Sequence, residues 1–490
     1  MHKIIPFGEW LPDLPPLGLE GVVTVENVIP NRQSYRSYPQ LVQFSTALGS
    51  RCLGGIFATD AASNNYNYAG DVSALYVLQN QTYVAVTRTA SAYTAENWEF
   101  VNWGNTVIGV NGFTDLPQTI SLGGTQFTNL STGVKARHIT TMRDFVVMGN
   151  VSDSATNVYR VRWSAINNPT SWTPDAATLA DFQDLPSEGG HIQKVLGGEY
   201  GVILQQRSVW RMLFIGSPLI FQFDRIHNAV GAYVPNGCVR YQNVVYFLAP
   251  DGFFAFDGSS LTPIGAGKVD KFFLGDLNVG SVSRVSAVID TNNKLVMWAY
   301  PSNSSVGGNP DKIMVYSWAF NRWTLITGLN IELLLQSIAT GYTLDGLDAV
   351  STNVDTGFMV SFDDPSWTGG EIINAAFNAS HRLSQFNGSA MAVTCRTGEF
   401  QLFESRRARM TQVRPVMDGV SASTQVTVLN RNNLTESVSV GALSIPINAT
   451  GFAPVRVSAR YFNIELTTAI GTEFTHLMGV ELDGQPEGDR

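Results

Sequence analysis

One pattern recurs three times between residues 137 and 256 and limits the folds open to this chain more than any other feature. Each copy has an apolar strand, a short polar turn, a second strand and a break rich in glycine, proline or asparagine. The three copies are Ile139–Pro174, Ile192–Gly216 and Gly237–Gly258. Short strands and turns repeated along a chain are typical of a radial array of β-sheets. The pattern therefore predicts a β-propeller.

Further strand–turn–strand units flank these three copies. They are Val72–Arg88, Trp98–Leu122, Val282–Pro301, Asp311–Gly328 and a looser unit, Ser337–Phe362, and a short strand candidate, Cys52–Ala58, precedes them. Their number predicts six or seven blades between residues 46 and 365, and their irregular spacing differs from that of WD40 or kelch arrays. Apolar residues on one face of Gly267–Leu277 predict a short helix.

Residues 1–45 are rich in proline, which disfavours helices and central strands. Large apolar residues alternate with these prolines, whereas disordered tails lack such residues. The segment is therefore predicted to be an extended arm that docks on another surface, and a neighbouring subunit is our hypothesis for that surface. The candidate subunit-contact residues are Trp10, Leu14, Leu17, Tyr35 and Tyr38.

Residues 366–490 show a different strand spacing. The alternation of apolar and polar residues is clear in VRVSARYFNIEL, residues 455–466. Such strands predict a second, C-terminal domain that is a β-sandwich or barrel. The chain is thus expected to be all-β, with an arm, a propeller and a C-terminal β domain.

The composition excludes several classes of protein. Charged residues make up only 14% of the chain, which suits surfaces covered by other copies of it. The net charge of −9 argues against a sequence-reading nucleic-acid binder, although DNA could still slide past such a surface. The three cysteines, Cys52, Cys238 and Cys395, are far apart and predict no disulfide framework. The N-terminus does not resemble a signal peptide, and no apolar run is long enough for a membrane-spanning helix.

No catalytic motif is found. The six histidines are dispersed, and neither a nucleophile elbow nor a P-loop is present, since Gly267-Lys268 is followed by Val269. The sequence therefore predicts no metal, no cofactor and no enzymatic activity. Two segments, Asp290–Lys294 and Asn150–Ser154, match calcium loops weakly and are interpreted as hairpin turns.

Acidic residues at predicted hairpin tips are the remaining candidates for catalysis, as in a glycosidase. Because aspartate and glutamate also stabilise turns locally, we favour a turn role for them. They are Asp144, Glu199, Asp251, Asp257 and Asp290. The basic cluster of Arg406, Arg407 and Arg409 could contact phosphate, but a subunit contact or a solvated face is the preferred interpretation.

Two stretches carry a family resemblance. The first is the arm GEWLPDLPPLGLEGVVTVENVIPNRQSYRSYPQL, Gly8–Leu41. The second lies in the blades, where Arg143-Asp144 precedes one apolar strand and a Glu-Tyr turn precedes another; its matching positions are Glu199, Tyr200, Val202, Ile203, Ser208, Val209 and Met212. These stretches resemble the packaged-DNA stabilisation proteins of short-tailed bacteriophages, also called tail hub, stopper or nozzle proteins.

The resemblance implies a non-enzymatic virion protein, made in the host cytoplasm, that forms a ring of commonly six copies in the tail. Its implied partners are other copies of itself, the portal or adaptor ring, tail fibres or spikes, and genomic DNA passing non-specifically through the lumen. Such a ring closes the DNA channel until ejection. The alternative is a host-surface propeller that binds or depolymerises carbohydrate. Tryptophans that could stack on sugars are Trp98, Trp103, Trp163, Trp172, Trp210, Trp318 and Trp323.

Overall fold

The structure is a computed structural model that describes residues 2–89, 92–130, 133–338, 372–404, 406–419, 424–445 and 451–487. Its regular elements are almost all strands. The first five strands are β1 (His2–Pro6), β2 (Val22–Glu26), β3 (Val28–Asn31), β4 (Ser34–Ser37) and β5 (Pro39–Ala47).

Four-stranded antiparallel sheets follow one another from residue 54 onward. Blade 1 contains β6 (Gly54–Thr59), β7 (Asn65–Gly70), β8 (Leu75–Gln79) and β9 (Thr82–Ala85). Blade 2 contains β10 (Glu99–Trp103), β11 (Thr106–Val110), β12 (Gln118–Ser121) and β13 (Thr128–Asn129). Blade 3 contains β14 (Lys135–Met142), β15 (Phe145–Ser152), β16 (Thr156–Trp163) and β17 (Asp181–Asp184).

Four more blades complete the series. Blade 4 contains β18 (Ile192–Leu196), β19 (Gly201–Gln205), β20 (Val209–Gly216) and β21 (Ile220–His227). Blade 5 contains β22 (Cys238–Tyr241), β23 (Val244–Ala249), β24 (Gly252–Phe256) and β25 (Leu261–Pro263). Blade 6 contains β26 (Ser286–Asp290), β27 (Leu295–Tyr300), β28 (Lys312–Ser317) and β29 (Arg322–Ile326). Blade 7 contains β30 (Ile331–Ile338), β31 (Ile372–Asn378), β32 (Arg382–Ala390) and, from the start of the chain, β5.

The seven blades close into a ring. The first strand of each blade contacts the first strand of the next, and β30 of blade 7 contacts β6 of blade 1. The N-terminal strand β5 pairs with β32, with Gln43 opposite Ser384, so the two ends of the ring are joined in one sheet. The fold is therefore a seven-bladed β-propeller, which confirms the predicted architecture at the upper of the two predicted blade numbers.

Burial explains why the second strands of the blades read as continuous apolar runs. β15, β19 and β27 are buried along almost their whole length, because neighbouring blades cover both faces. The predicted turn at Trp103-Gly104-Asn105 joins β10 to β11, and Gly104 there adopts φ +54°. A left-handed backbone at this position favours glycine.

The C-terminal strands form a β-sandwich. They are β33 (Val393–Thr397), β34 (Arg407–Met417), β35 (Thr424–Arg431), β36 (Ser439–Ser444), β37 (Ala453–Ala459), β38 (Tyr461–Thr468) and β39 (Leu477–Glu487). One sheet has the order β3-β4-β39-β34-β37, with β1 also paired to β39. The other is part of a nine-stranded sheet, in the order β26-β27-β28-β29-β2-β33-β38-β35-β36. Blade 6 thus continues directly into the sandwich through β2.

These pairings change the predicted domain limits. Residues 339–371, which include most of the looser unit Ser337–Phe362 and the expected boundary at 365, lie outside the described residues. The last blade continues to Ala390, and its outer strand, β5, falls mostly within the predicted arm of residues 1–45. The sandwich combines β1–β4 with strands beyond residue 390, so it is built from both ends of the chain.

The aromatic residues of residues 1–45 do not form the exposed docking arm that the sequence predicted. Trp10, Tyr35 and Tyr38 are buried inside this chain, and the Tyr35 hydroxyl donates to the Gly8 carbonyl at 2.6 Å. Leu14 and Leu17 remain exposed, at 42% and 43%. Trp10, Tyr35 and Tyr38 are instead core residues of the sandwich and its junction with the propeller, which local sequence could not distinguish.

The predicted helix lies at the junction of blade 5 and blade 6. It is α1 (Asp270–Asp276), and short 3₁₀ helices occur at Ser187–Gly189, Pro235–Gly237, Val279–Arg284 and Val306–Gly308. The Asp13 carboxylate accepts the backbone N–H groups of Lys271 and Phe272 at 3.0 and 2.8 Å. A side chain from the N-terminal segment therefore satisfies amides that the first turn of a helix leaves free.

Asp270 at the start of this helix is an unfavourable buried carboxylate, and we expect Asp270→Asn to stabilise the protein at neutral pH. Burial, together with the nearby Asp13, raises the pKa of Asp270 from 3.8 to about 6. The folded state binds the proton of the Asp270 carboxyl more tightly than the unfolded state does. Protonated Asp270 therefore contributes to stability below pH 3.8, and this contribution is lost as pH rises through 6. The variant should gain about 1–3 kcal/mol in free energy of unfolding at pH 7.5. Urea denaturation should show that this gain shrinks toward pH 4; a pH-independent gain would contradict the assignment.

Candidate functional site

The first strands of all seven blades start around one cavity of about 770 Å³ at one end of the propeller axis. We call it the axial funnel. Residues at or just before these strands line it, among them Arg51, Asn97, Arg137, His138, Gln193, Asn236, Arg284 and Glu332. Asn111, directly after β11, and Asn150, in β15, also line it. A second cavity of about 400 Å³ continues between the inner strands and shares Leu53, Asn236 and Leu333 with the funnel. The volume of the funnel matches that of small-molecule sites.

Two arginines lie side by side on the part of the funnel formed by blades 6, 7 and 1. Arg51 and Arg284 both donate to the Asn309 side-chain oxygen, at 3.1 and 2.9 Å. Arg51 also donates to the Glu332 carbonyl at 2.8 Å. Among the described residues neither guanidinium forms an ion pair with a carboxylate. Burial and the neighbouring Arg284 lower the pKa of Arg51 below its usual value.

The Glu332 carboxylate near these arginines is engaged elsewhere. Its oxygens accept the Cys52 amide at 3.2 Å and contact His381 Nδ1 at 2.7 Å. The positive charge of the two guanidiniums is thus only partly compensated at close range.

The part of the funnel formed by blades 2 and 3 carries unused acceptors. Asn111 and Asn150 are almost fully buried. The side-chain amide of Asn111 donates to the Asp115 carboxylate at 2.9 Å, and that of Asn150 donates to the Ile192 carbonyl at 3.1 Å. Their side-chain oxygens have no hydrogen-bond partner within the described part of the chain. A buried oxygen without a donor costs free energy, and other buried side-chain atoms of the described chain, such as Ser317 Oγ and Thr324 Oγ1, also have no partner there.

A buried ion cluster spans the inner strands of blades 2, 3 and 4. Glu99 contacts His138 Nδ1 at 3.0 Å and Lys194 Nζ at 3.1 Å, and it accepts the Ile139 amide at 3.3 Å. Burial by itself raises the pKa of Glu99, but Lys194 and His138 outweigh it, and the net shift is downward. The cluster cross-links three adjacent strands and leaves His138 Nε2 as the ring nitrogen not bound to Glu99.

Four of the five acids predicted at hairpin tips, Asp144, Glu199, Asp251 and Asp257, lie in turns between strands, and Asp290 is the last residue of β26, directly before its turn. Asp257 accepts the amides of Ser259 and Ser260, at 2.9 and 2.7 Å, and these bonds lower its pKa. Asp290 accepts the Asn293 amide at 2.9 Å. Asp144, Glu199 and Asp251 are exposed, and Glu199 accepts the Asn243 side-chain amide at 2.9 Å. The turns keep these acids apart from the axial funnel, since none of them lines it.

The basic cluster and the tryptophans also lie away from the funnel. Arg407 and Arg409 lie on the face of β34 opposite the buried Ala408, as strand spacing predicted, and Arg406 directly precedes the strand. The Arg407 guanidinium donates to the Ser458 carbonyl at 3.3 Å. Five of the seven tryptophans are buried, namely Trp98, Trp163, Trp172, Trp210 and Trp323. They pack in the cores of the blades.

Searches of the described residues for other sites gave two negative results. No group of three or more histidine, cysteine, aspartate or glutamate side chains has metal-binding geometry there. None of the helices in the same ranges is both long and apolar enough to span a membrane. The three cysteines are free and buried, and burial raises the pKa of Cys238 to about 12.

The fold and the funnel define a seven-bladed β-propeller with a fused β-sandwich. No protein-family model and no curated protein matches the chain. Among solved structures, it is similar to the Cps50 (Swd1) β-propeller domain of Myceliophthora thermophila, with 10% identity over 68% of this chain and 83% of that one, and a TM-score of 0.30. It is also similar to the Pan2 WD40 domain of Neurospora crassa, with 8% identity over 74% and 98% and a TM-score of 0.40.

Apo AztD from Citrobacter koseri is a third similar structure, with 13% identity over 55% of this chain and 85% of that one, and a TM-score of 0.30. Similarity at this level concerns the fold and carries no information about activity. The funnel residues were not predicted from the sequence, because each is a single residue at the start or end of a strand in a blade with its own sequence.

Proposed function

We propose that this chain is a non-enzymatic structural protein that assembles into a ring in the tail of a short-tailed phage. In this proposal the ring is a homohexamer below the portal and adaptor. It retains packaged DNA until ejection, and tail fibres or spikes attach to it. The resemblance of Gly8–Leu41 and of blades 3 and 4 to tail hub proteins motivates the proposal.

The observation that carries the proposal is an apolar strand at the edge of a sheet, among the residues that the structure describes. The nine-stranded sheet joins blade 6 to the sandwich and ends at β36. Val440 and Leu443 on this strand are 66% and 61% exposed, and Val438 and Ile445 beside it are exposed as well. Residues 437–445 contain no charged side chain and no proline.

Soluble proteins usually protect an edge strand with charges, proline, a bulge or a covering element. A charge-free, apolar edge is the kind of surface that pairs with a strand of another chain. A second copy fits this edge in the proposal, because repeated copies joined head to tail close into a ring. The acidic net charge of −9 would keep the lumen from gripping DNA.

We expect the double substitution Val440→Asp and Leu443→Asp to convert rings into protomers. Both side chains are exposed, so the free energy of unfolding should change by less than about 1 kcal/mol while assembly is lost. Native mass spectrometry and negative-stain electron microscopy measure the outcome. The matched control is Val306→Asp, at a 78% exposed position on the propeller, which should leave rings intact. Rings that survive the double substitution, or a wild-type chain that never assembles, would refute the proposal.

Sugar binding by the seven tryptophans, the alternative from the sequence, has no supporting observation. Their burial commits five of them to the blade cores, and the Trp98 indole donates to the Asp71 carbonyl at 2.8 Å. A stacking surface requires exposed ring faces.

A further inference from the structure

We infer that the axial funnel binds an apolar carboxylate, a ligand in which a carboxylate group is joined to an aliphatic group. Arg51 and Arg284 receive the carboxylate, and the apolar side chains beside them in the same cavity receive the rest of the ligand. The inference does not depend on the proposed ring. It concerns the end of the propeller axis, whereas the assembly edge is β36 of the sandwich.

The guanidiniums of Arg51 and Arg284 have donors that the described part of the chain leaves unused. Arg284 donates only through Nη1, to a backbone carbonyl at 2.6 Å and to Asn309 Oδ1 at 2.9 Å. Arg51 donates through Nη1 to the same Asn309 oxygen and through Nη2 to the Glu332 carbonyl. The Nε atoms of both arginines and Nη2 of Arg284 have no partner among the described residues, and none of the three is an enclosed atom. These N–H groups are therefore open to a ligand.

The charge that lines the funnel is positive, although the chain as a whole carries −9. Three arginines and two glutamates are among the described lining residues, which leaves one formal positive charge. Glu96 forms an ion pair with Arg137 at 2.7 Å, and the Glu332 carboxylate contacts a histidine at 2.7 Å. Burial and the neighbouring Arg284 lower the pKa of Arg51, so an anion between the two guanidiniums would relieve their repulsion. A carboxylate carries the single charge that balances the lining, and its paired oxygens match the fork of an arginine.

Apolar side chains lie beside both arginines in the funnel. Leu53 is two residues after Arg51, and Val282 is two residues before Arg284. Leu333, in β30, directly follows the residue whose carbonyl Arg51 contacts. All three apolar residues line the funnel and are only partly buried, so an apolar group that covers them removes further surface from water. Open guanidinium donors next to apolar side chains select an apolar carboxylate over an inorganic anion or a sugar acid.

Isothermal titration calorimetry on the full-length protein at low ionic strength tests the inference with two probes. Hexanoate represents a small aliphatic acid, and Nα-acetylleucine represents the C-terminal residue of a peptide, so the tighter of the two identifies the source of the carboxylate. The matched controls are Nα-acetylleucinamide, which lacks the charge, and acetate, which lacks the apolar chain. At least one probe should bind about tenfold or more tightly than both controls. Probes that bind no more tightly than the amide or than acetate would overturn the inference.

Variants locate the site, and circular dichroism verifies that each of them folds. Arg284→Gln and Arg51→Gln should each weaken binding of the tighter probe about tenfold or more, because a charge-assisted hydrogen bond is lost. Arg207→Gln, at an exposed arginine outside the funnel, is the matched control and should bind normally. Val282→Ser should reduce the advantage of the probe over acetate about threefold or more, because less apolar surface is covered.

Three results would overturn the inference, whether or not rings form. The first is no binding of either probe to the wild type. The second is equal binding of the probe by the wild type and the Arg284 variant. The third is a ratio of probe to acetate affinity that Val282→Ser leaves unchanged.

Discussion

Replacing Arg322 with methionine is expected to lower the free energy of unfolding by about 3–5 kcal/mol. Arg322 begins β29, the outer strand of blade 6, and its guanidinium is buried between the propeller and the N-terminal segment. It donates to the carbonyls of Arg32, at 2.6 Å, and Gly8. Methionine fills a similar volume but removes the guanidinium donor from the Arg32 carbonyl and leaves the Gly8 carbonyl with only the Tyr35 hydroxyl.

The guanidinium also covers the ring of Tyr35 at 4.5 Å, and Tyr35 is itself fully buried. A desolvated cation on an aromatic face adds to the loss, by about 1–2 kcal/mol. Because Arg322 joins β29 to the strands before β5, the loss should loosen the attachment of the sandwich to the propeller.

Denaturation in urea at pH 7, followed by circular dichroism, measures this change. Arg322→Lys keeps the charge but cannot reach two separated carbonyls with a planar fork, so most of the loss should remain. The exposed Arg207→Met is the control for removing an arginine, and it should change stability by no more than about 0.5 kcal/mol. If Arg322→Met stays within about 1 kcal/mol of the wild type, the side chain does not hold the junction.

The sequence predicted the features that depend on residues close together in the chain. Alternation and turn residues located the hairpins of the blades, and apolar spacing located the helix that the structure places at Asp270–Asp276. The turn roles of Asp257 and Asp290 followed from their position at hairpin tips. Each of these features depends on residues a few positions apart, which is the range that periodicity and turn chemistry cover.

The sequence did not predict what is decided over long range. β5 closes blade 7 by pairing with β32, more than 300 residues away, and β2 lies between β29 and β33. No local pattern distinguishes such a strand from a proline-rich arm that docks on a second copy. The funnel was missed for a similar reason, since Arg51 and Arg284 meet only when blade 1 closes against blades 6 and 7.

Substitution of Glu99 by glutamine is the second change with a large expected effect, because it breaks the ion cluster that joins blades 2, 3 and 4. Glu99 is buried with Lys194 and His138 on its carboxylate. Removing one partner of a buried ion pair leaves an uncompensated charge, so we expect Glu99→Gln to cost about 3–5 kcal/mol in free energy of unfolding at pH 7.

The pH dependence distinguishes this electrostatic role from simple packing. The net pKa of Glu99 in the folded protein lies below its ordinary value of 4.5, because Lys194 and His138 outweigh the effect of burial. Its contribution to stability is therefore present above pH 4.5 and is lost as pH falls through the lowered pKa. The gap between wild type and Glu99→Gln should be largest near neutral pH and shrink in acid, as measured by urea denaturation from pH 7 to pH 3.5. The double variant Glu99→Gln, Lys194→Met should recover part of the loss, since it also removes the unpaired ammonium. A gap that is constant with pH, together with no recovery in the double variant, would assign Glu99 a packing role instead.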